Sequence, residues 1–116
     1  AEPCLTKSIA YDVPFVSDKN AKVNFEPVDS GEILALVSEL PITTWNYTDS
    51  NLEGRHIGPM AQDFNELFGF GDYDEYISAV DSSGVALVAI QGLSDIGEKQ
   101  AQRIAALESQ NEMLQA

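Results

Sequence analysis

A chain of 116 residues with 44% hydrophobic residues has the size and apolar content of one domain with a single core. Nineteen acidic residues against six basic ones leave a formal charge of -13, and a field of that sign repels phosphate backbones and anionic membrane surfaces. Nucleic acid and membranes are therefore not expected as partners.

The cysteine count and the N-terminal sequence narrow the class of protein further. The single cysteine, Cys4, cannot form an internal disulfide, and no paired Cys/His set exists to hold zinc, so neither a metal nor a cofactor is expected. No run of about eighteen apolar residues occurs, and AEPCLTKSIA lacks the basic and apolar regions of a signal peptide. We therefore expect a soluble piece cut from a longer parent.

The first part of the chain predicts an extended arm and a short helix. Residues 1–16 contain two prolines and a short apolar run, which favours an extended arm. The stretch DSGEILALVSELP predicts an amphipathic helix, with Asp29 or Ser30 as the N-cap and Pro41 as the stop. Its apolar residues at helical spacing are Ile33, Leu34, Val37 and Leu40.

The middle of the chain predicts a hairpin and a second helix. ITTWNY is rich in β-branched and aromatic residues and predicts a strand, which the polar turn TDSNLEG closes. PMAQDFNELFG predicts a helix that ends at Gly69 and has Met60, Phe64, Leu67 and Phe68 on one face. YISAVD predicts another short strand.

From Ser83 to Ala116 the chain has no proline and predicts one helix, about 50 Å long at about 1.5 Å per residue. With Ile90 at a heptad a position, five of the eight a and d positions are aliphatic, and Gly97 and Gln100 weaken the series. These five, the predicted seam, are Ile90, Leu93, Ile104, Leu107 and Leu114. The pattern predicts self-association without fixing the strand number, since Ile at a with Leu at d by itself favours dimers. The alternative is a long helix folded back on its own domain.

The expected fold class is therefore helix-rich α+β. It combines a small globular part, made of short strands and helices, with a long C-terminal coiled-coil helix.

Ser17 and Lys22 are candidates for a Ser/Lys dyad. Their five-residue offset separates them by about 140° on a helix and sends them to opposite faces on a strand, so a dyad needs a turn between them. Asp18 and Asn20 can supply that turn. Lys19 is a rival base, because two residues along an extended strand return to the same face. Spacing alone leaves both lysines open.

A lysine acts as a general base only when it is uncharged. The ordinary lysine pKa of about 10.4 must fall by roughly three units to be useful near neutral pH; desolvation lowers it, and nearby carboxylates oppose the fall. The working lysine must therefore be buried away from Asp18 and Glu26, which requires the folded or assembled protein. The plain alternative is a solvated turn without catalytic function.

The other polar candidates carry weaker signals. His56, the only histidine, could orient a carbonyl, act as an acid or satisfy hydrogen bonds in the core. GDYDEY lacks the ligand spacing of a calcium loop and predicts a solvated acidic loop. Trp45 and Tyr47 are expected to pack across the hairpin rather than form a ligand platform. Because no G-x-S-x-G elbow is present, a conventional hydrolase acting on external substrates is disfavoured.

Several strings, in order, resemble a known family. LPITTWNY, RHIGPMAQDF and ISAVDSSGVALVAIQGL, preceded by SDKNAKVNFEPVD, resemble the C-terminal intramolecular chaperone auto-processing domain of phage tailspikes and tail fibres. This is the peptidase S74 group, which includes the endosialidase C-terminal domain. The resemblance runs from Ser17 to about Leu93. It implies a homotrimer with a trimeric coiled coil, fused to the C-terminus of a β-rich fibre or tailspike passenger that it assembles and then leaves.

The resemblance also implies roles for individual residues. Ser17 resembles the nucleophile of the family and Lys22 its general base, with the scissile bond between Val16 and Ser17. His56 matches the histidine of the RHIGPMAQDF string, and Asp18 occupies the position beside the nucleophile. The implied activity is an autocatalytic serine endopeptidase that acts once, in cis.

The same resemblance implies a domain organisation and a setting. Residues 1–16 would end the upstream passenger, residues 17–116 would form the chaperone domain, and residues 84–116 would form its coiled-coil helix. The protein would be a phage tail precursor assembled in the cytoplasm of a bacterial host. The alternative is a non-cleaving trimerisation cap that stays on the mature fibre.

Overall fold

The computed structural model describes residues 16–115, which form a 3-10 turn, three α-helices and a two-stranded sheet. This confirms a helix-rich fold with short strands and a long C-terminal helix. The predicted arm, residues 1–16, lies outside the described residues except for Val16. In chain order the elements are the 3-10 turn Lys19–Ala21, α1 Ser30–Glu39, β1 Thr43–Trp45, β2 His56–Gly58, α2 Ala61–Phe68 and α3 Ala79–Gln115.

Helix α1 forms where its apolar spacing and its cap predict it. The Asp29 side chain accepts a hydrogen bond from the Glu32 backbone N–H at 3.1 Å, which satisfies one of the donors left unpaired at a helix start. Asp29 is therefore the N-cap. The helix ends at Leu40, whose backbone is extended, as expected before Pro41.

The predicted strand in ITTWNY is confirmed as β1, and it pairs with β2 in an antiparallel hairpin. Trp45 faces His56 across the hairpin, and Thr43 faces Gly58. The Trp45 indole N–H donates to the Gly58 carbonyl oxygen at 3.3 Å. The short sheet is thus tied together by a side chain as well as by its own ladder.

Helix α2 also forms as predicted, and its aromatic face supplies part of the core. Gly69 ends the helix with φ 68°, a left-handed conformation that glycine adopts without the steric cost of a side chain. Phe64 is 3% exposed and lies 4.9 Å from Phe68, measured between ring centroids.

The predicted strand at YISAVD is wrong, because α3 begins at Ala79 and runs without interruption to Gln115. This start also precedes the predicted Ser83. The Ser82 N–H already donates to the Ser78 carbonyl oxygen at 3.0 Å. Val80 and Val85 line an apolar groove of about 300 Å³ together with Val28 of the segment before α1, so helical packing overrides the strand preference of the local sequence.

Helix α1 packs against the first part of α3. The buried residues of α3 are Val85, Ala89 and Gly92, which recur at four- and three-residue spacing and so lie on one face. Residues 93–115 are all exposed. Beyond Gly92, the Ser30 hydroxyl of α1 donates to the Asp95 carboxylate at 3.5 Å, and past Asp95 the long helix does not fold back on its own domain, contrary to the alternative interpretation.

Between residues 16 and 115, no helix combines the length and apolarity needed to cross a membrane.

Candidate functional site

The turn that a Ser17/Lys22 pair requires is present in the structure. The Asp18 carboxylate accepts from the Asn20 N–H at 2.9 Å, and the Ala21 N–H donates to the Asp18 carbonyl oxygen at 2.9 Å. Asp18 thus caps the 3-10 turn, as short polar side chains do at such starts. The turn brings Lys22 back toward Ser17, and the Lys22 ammonium donates to the Ser17 hydroxyl oxygen at 2.7 Å.

The rival lysine lies inside the turn. Lys19 begins the 3-10 segment, and no hydrogen bond joins it to Ser17 in the stretch from Val16 to Gln115 that the structure describes. The extended-strand geometry that would have placed Lys19 on the same face as Ser17 is absent. The hydrogen-bond geometry therefore favours Lys22 over Lys19 as the residue that can exchange a proton with the serine.

Ser17 and Lys22 are within hydrogen-bonding distance of each other but are not shielded from water. Ser17, Asp18 and Lys22 are all exposed, and Val16, which precedes the serine, is 81% exposed. Water at these atoms stabilises a charged amine, and removing that water favours the uncharged form. In the single chain the Ser17 hydroxyl and the Lys22 amine are close enough for a dyad, but the amine is not desolvated.

An apolar stretch beside the pair was not identified from the sequence. Val23 is 79% exposed and Phe25 is 71% exposed, directly after Lys22. Between them, Asn24 has φ 58°, in the left-handed region that asparagine tolerates better than most residues. The alternation of apolar and polar residues in KVNF was the available signal. These side chains leave apolar surface uncovered one and three residues after Lys22 in the chain.

His56 is not joined to the Ser17/Lys22 pair. Its ring lies 5.3 Å from the Trp45 ring and 5.2 Å from the Tyr47 ring, and the two aromatic rings are 5.0 Å apart. The expected packing of Trp45 and Tyr47 across the hairpin is therefore present. His56 is exposed, so its interpretation as a core residue is wrong. No hydrogen bond links it to Ser17 or Lys22 among the described residues.

Arg55 holds the hairpin loop and was missed in the sequence. Its guanidinium donates to the Asn46 side-chain oxygen at 2.8 Å and to the Thr44 hydroxyl at 3.0 Å. The Asn46 amide in turn donates to the Gly54 carbonyl oxygen at 2.8 Å. Arg55 is the only lysine or arginine between Lys22 and Lys99, and this isolated charge in the sequence was the signal that could have identified it. The network fixes the strand end that carries His56.

The predicted seam lies on a different face of α3 from the one that α1 covers. The seam side chains are exposed by 62%, 60%, 55%, 45% and 81%, for Ile90, Leu93, Ile104, Leu107 and Leu114 respectively. On a helix with about 100° per residue, Ile90 and Leu93, the seam residues level with α1, point roughly 100° around α3 from the face formed by Val85, Ala89 and Gly92, and the other three seam residues lie beyond α1. Helix α1 and a second α3 can therefore occupy the helix at the same time.

The acidic loop is solvated as predicted. Asp72, Asp74 and Glu75 are exposed. Across residues 16–115, no three His, Cys, Asp or Glu side chains gather into a group that could hold a metal ion.

Residues 17–71 match the family model of the peptidase S74 group, which is described as chaperone of endosialidase. The matched range begins at Ser17, includes Lys22, the hairpin and the first two helices, and ends before α3. A comparison with curated protein sequences finds no match.

Proposed function

We propose that this chain, which carries the intramolecular chaperone domain of the peptidase S74 family, forms a homotrimer and cuts itself between Val16 and Ser17. The family description, chaperone of endosialidase, gives it a chaperone role. In our proposal the client is a fibre or tailspike passenger fused upstream, which is released after it has folded. The observation that carries the cleavage proposal is the 2.7 Å hydrogen bond between Lys22 and Ser17, at the start of the family match.

The proposed reaction uses the chain as its own substrate. The Ser17 hydroxyl oxygen attacks the carbonyl carbon of Val16 while the uncharged Lys22 amine accepts the hydroxyl proton. The peptide bond between Val16 and Ser17 then breaks, and the Ser17 nitrogen takes up a proton. The product is an ester on the Ser17 oxygen, which water hydrolyses to the Val16 carboxylate and a Ser17 with an α-amine and a hydroxyl. Each chain acts once because the bond it cuts is its own.

Association supplies the missing desolvation in this proposal. Lys22 is exposed in the single chain, and the apolar side chains of Val23 and Phe25, one and three residues later, are exposed as well. Covering this surface removes water from the amine and favours its uncharged form. Burial of the exposed apolar seam of α3 provides a hydrophobic driving force for association of the chains. Cleavage then follows assembly instead of preceding it.

Such an order suits a slow-folding fibre. Trimeric β-rich fibres depend on contacts between distant parts of several chains, and they fold slowly with exposed edges. Joining three chains at their C-termini raises the effective concentration of each for the others to about the millimolar range. The proposed setting is a phage tail precursor assembled in the cytoplasm of a bacterial host.

The decisive experiment measures the polypeptide mass under denaturing and native conditions. We expect the chain of residues 1–116 to be split before Ser17 and to have a native mass of three copies. Ser17→Ala should stay whole and still associate. Ser83→Ala, a matched change on the exposed surface of α3, should cut normally. Cleavage of Ser17→Ala at the normal position would sink the proposed chemistry.

The second candidate function is a trimerisation cap that stays on the fibre without cutting. It is favoured by the exposure of Lys22 in the single chain, because an exposed amine lacks the desolvation that a general base requires. Under this function the associated wild-type chain keeps its full mass indefinitely.

A further inference from the structure

Arg103 and Glu108 have no partner of opposite charge at helical spacing on their own helix. On a helix, side chains three and four residues apart are neighbours and can form ion pairs. None of the residues at those distances from Arg103 is acidic, and none at those distances from Glu108 is basic. For Arg103 they are Lys99, Gln100, Ala106 and Leu107, and for Glu108 they are Ile104, Ala105, Asn111 and Glu112.

The two residues stand at the positions that face each other between parallel helices. With Ile90 at a, Arg103 is a g position and Glu108 is the e position of the next heptad. Within one helix their five-residue offset turns them about 140° apart, so they cannot pair there. Between two parallel helices in register, the g residue of one lies beside the e residue five positions later on the other. Both side chains are exposed.

We propose that a second copy of this chain docks on the seam of α3 in parallel and in register, with Arg103 of each copy paired with Glu108 of its neighbour. This rests on the proposed self-association, whose rotational symmetry makes the helices parallel, and adds to it the charged pair that selects one alignment. A closed ring of three chains contains the pair once at each interface.

The ion pair between Arg103 and Glu108 fixes the alignment of the helices, which the apolar seam alone does not. Gly97 and Gln100 occupy consecutive a and d positions, so the middle of the seam contributes little apolar contact to hold the alignment. A slip of one heptad would place Arg103 against Ala101 or Gln115 and lose the ion pair. Antiparallel docking would place g positions beside g positions, so Arg103 would not lie beside Glu108 and the ion pair would be lost. The charges therefore favour one alignment.

The test exchanges the charges in a Ser17→Ala background, which keeps every chain whole. Arg103→Glu and Glu108→Arg are made singly and together, and association is measured by native mass and by sedimentation equilibrium over a concentration series. Each single variant should lower the association constant by about tenfold, since like charges replace each pair in the ring. The double variant should return to near the wild-type constant. Mixing the two single variants should give mixed assemblies.

Two controls change charge in the same direction away from the seam. Gln102→Glu and Glu98→Arg occupy outward f and b positions, are exposed in the structure and do not lie three or four residues from Arg103 or Glu108. They should associate within a few-fold of the wild type. The difference between Arg103→Glu and Gln102→Glu should shrink in high salt, because exposed charges are screened.

The outcomes separate this inference from the function it rests on. A wild-type chain that stays monomeric at every concentration overturns the proposed self-association together with the pairing. A wild type that associates, with single variants matching their controls, overturns the pairing alone and leaves the proposed function standing. A double variant as weak as the single variants also excludes the pairing.

Discussion

Gly92 of α3 lies directly against Ser30 of α1. A Cβ placed on Gly92 would come within 2.6 Å of the Ser30 carbonyl oxygen and within 3.3 Å of the Leu34 Cβ. The nearest atom belongs to the backbone and cannot rotate away, so α1 must move if residue 92 gains a side chain. The crossing ties the helix that carries the seam to the helix that follows the Ser17/Lys22 segment.

Gly92→Ala should destabilise the chain. Alanine is favoured over glycine in a helix interior by roughly 1 kcal/mol, but forcing α1 off its contact typically costs about 1–3 kcal/mol. We therefore expect a lower free energy of unfolding, measured by denaturant titration at one protein concentration. Gly84→Ala is the matched control, since nothing lies within 4 Å of a Cβ there, and it should stabilise the helix. Equal stability of the two variants would contradict the close crossing.

Local sequence signals were sufficient to predict a helix where a single capping residue or a periodic apolar face determines its position. Asp29 before α1 and Gly69 after α2 mark helix ends by chemistry that the sequence displays. The start of α3 was missed because Val80 favours a strand locally and packs as part of a helix. The predicted hairpin implied a second strand after TDSNLEG, but no local pattern fixes the bounds of a strand as short as His56–Gly58, which exists because it pairs with β1.

At the candidate site, the turn between Ser17 and Lys22 could be predicted from the sequence, but the choice of lysine and the exposure of His56 could not. Asp18 and Asn20 indicated a bend, and the structure has one. The choice between Lys19 and Lys22 depends on how tightly the chain bends, which spacing does not specify. The exposure of His56 was also hidden, because a lone histidine carries no periodic pattern that assigns it to a surface or a core.

Lys22→Ala should abolish cleavage, because the proposed base would be lost. General bases typically contribute about 100- to 10,000-fold to a rate, so the rate constant of cleavage should fall by at least about 100-fold. Lys22→Arg should fail as well, since a guanidinium stays charged. Lys19→Ala is the matched control and should cut normally. Time courses of the cut fraction decide the assignment, and the reverse pattern for the two lysines would make Lys19 the base.

Asp29→Ala should weaken α1 through the loss of its cap. The Asp29 carboxylate bonds the Glu32 N–H, and replacing such a cap by alanine typically costs about 1 kcal/mol. Asp29→Asn keeps an oxygen in place and should retain most of the stability. Denaturant titration at one protein concentration measures both variants. A loss for Asp29→Asn as large as for Asp29→Ala would mean that the charge, rather than the hydrogen bond, matters.

Ile104→Asp should prevent both association and cleavage, although the residue belongs to the exposed part of α3 beyond Gly92. A charge at an a position cannot be buried between helices, so the chains should remain apart and Lys22 should stay hydrated. Gln102→Asp introduces the same side chain at an exposed outward position and should change neither property. Native mass and the cut fraction are measured on the same samples. If monomeric Ile104→Asp cuts as fast as the wild type, the Ser17/Lys22 pair works in a single chain and association plays no part in activating it.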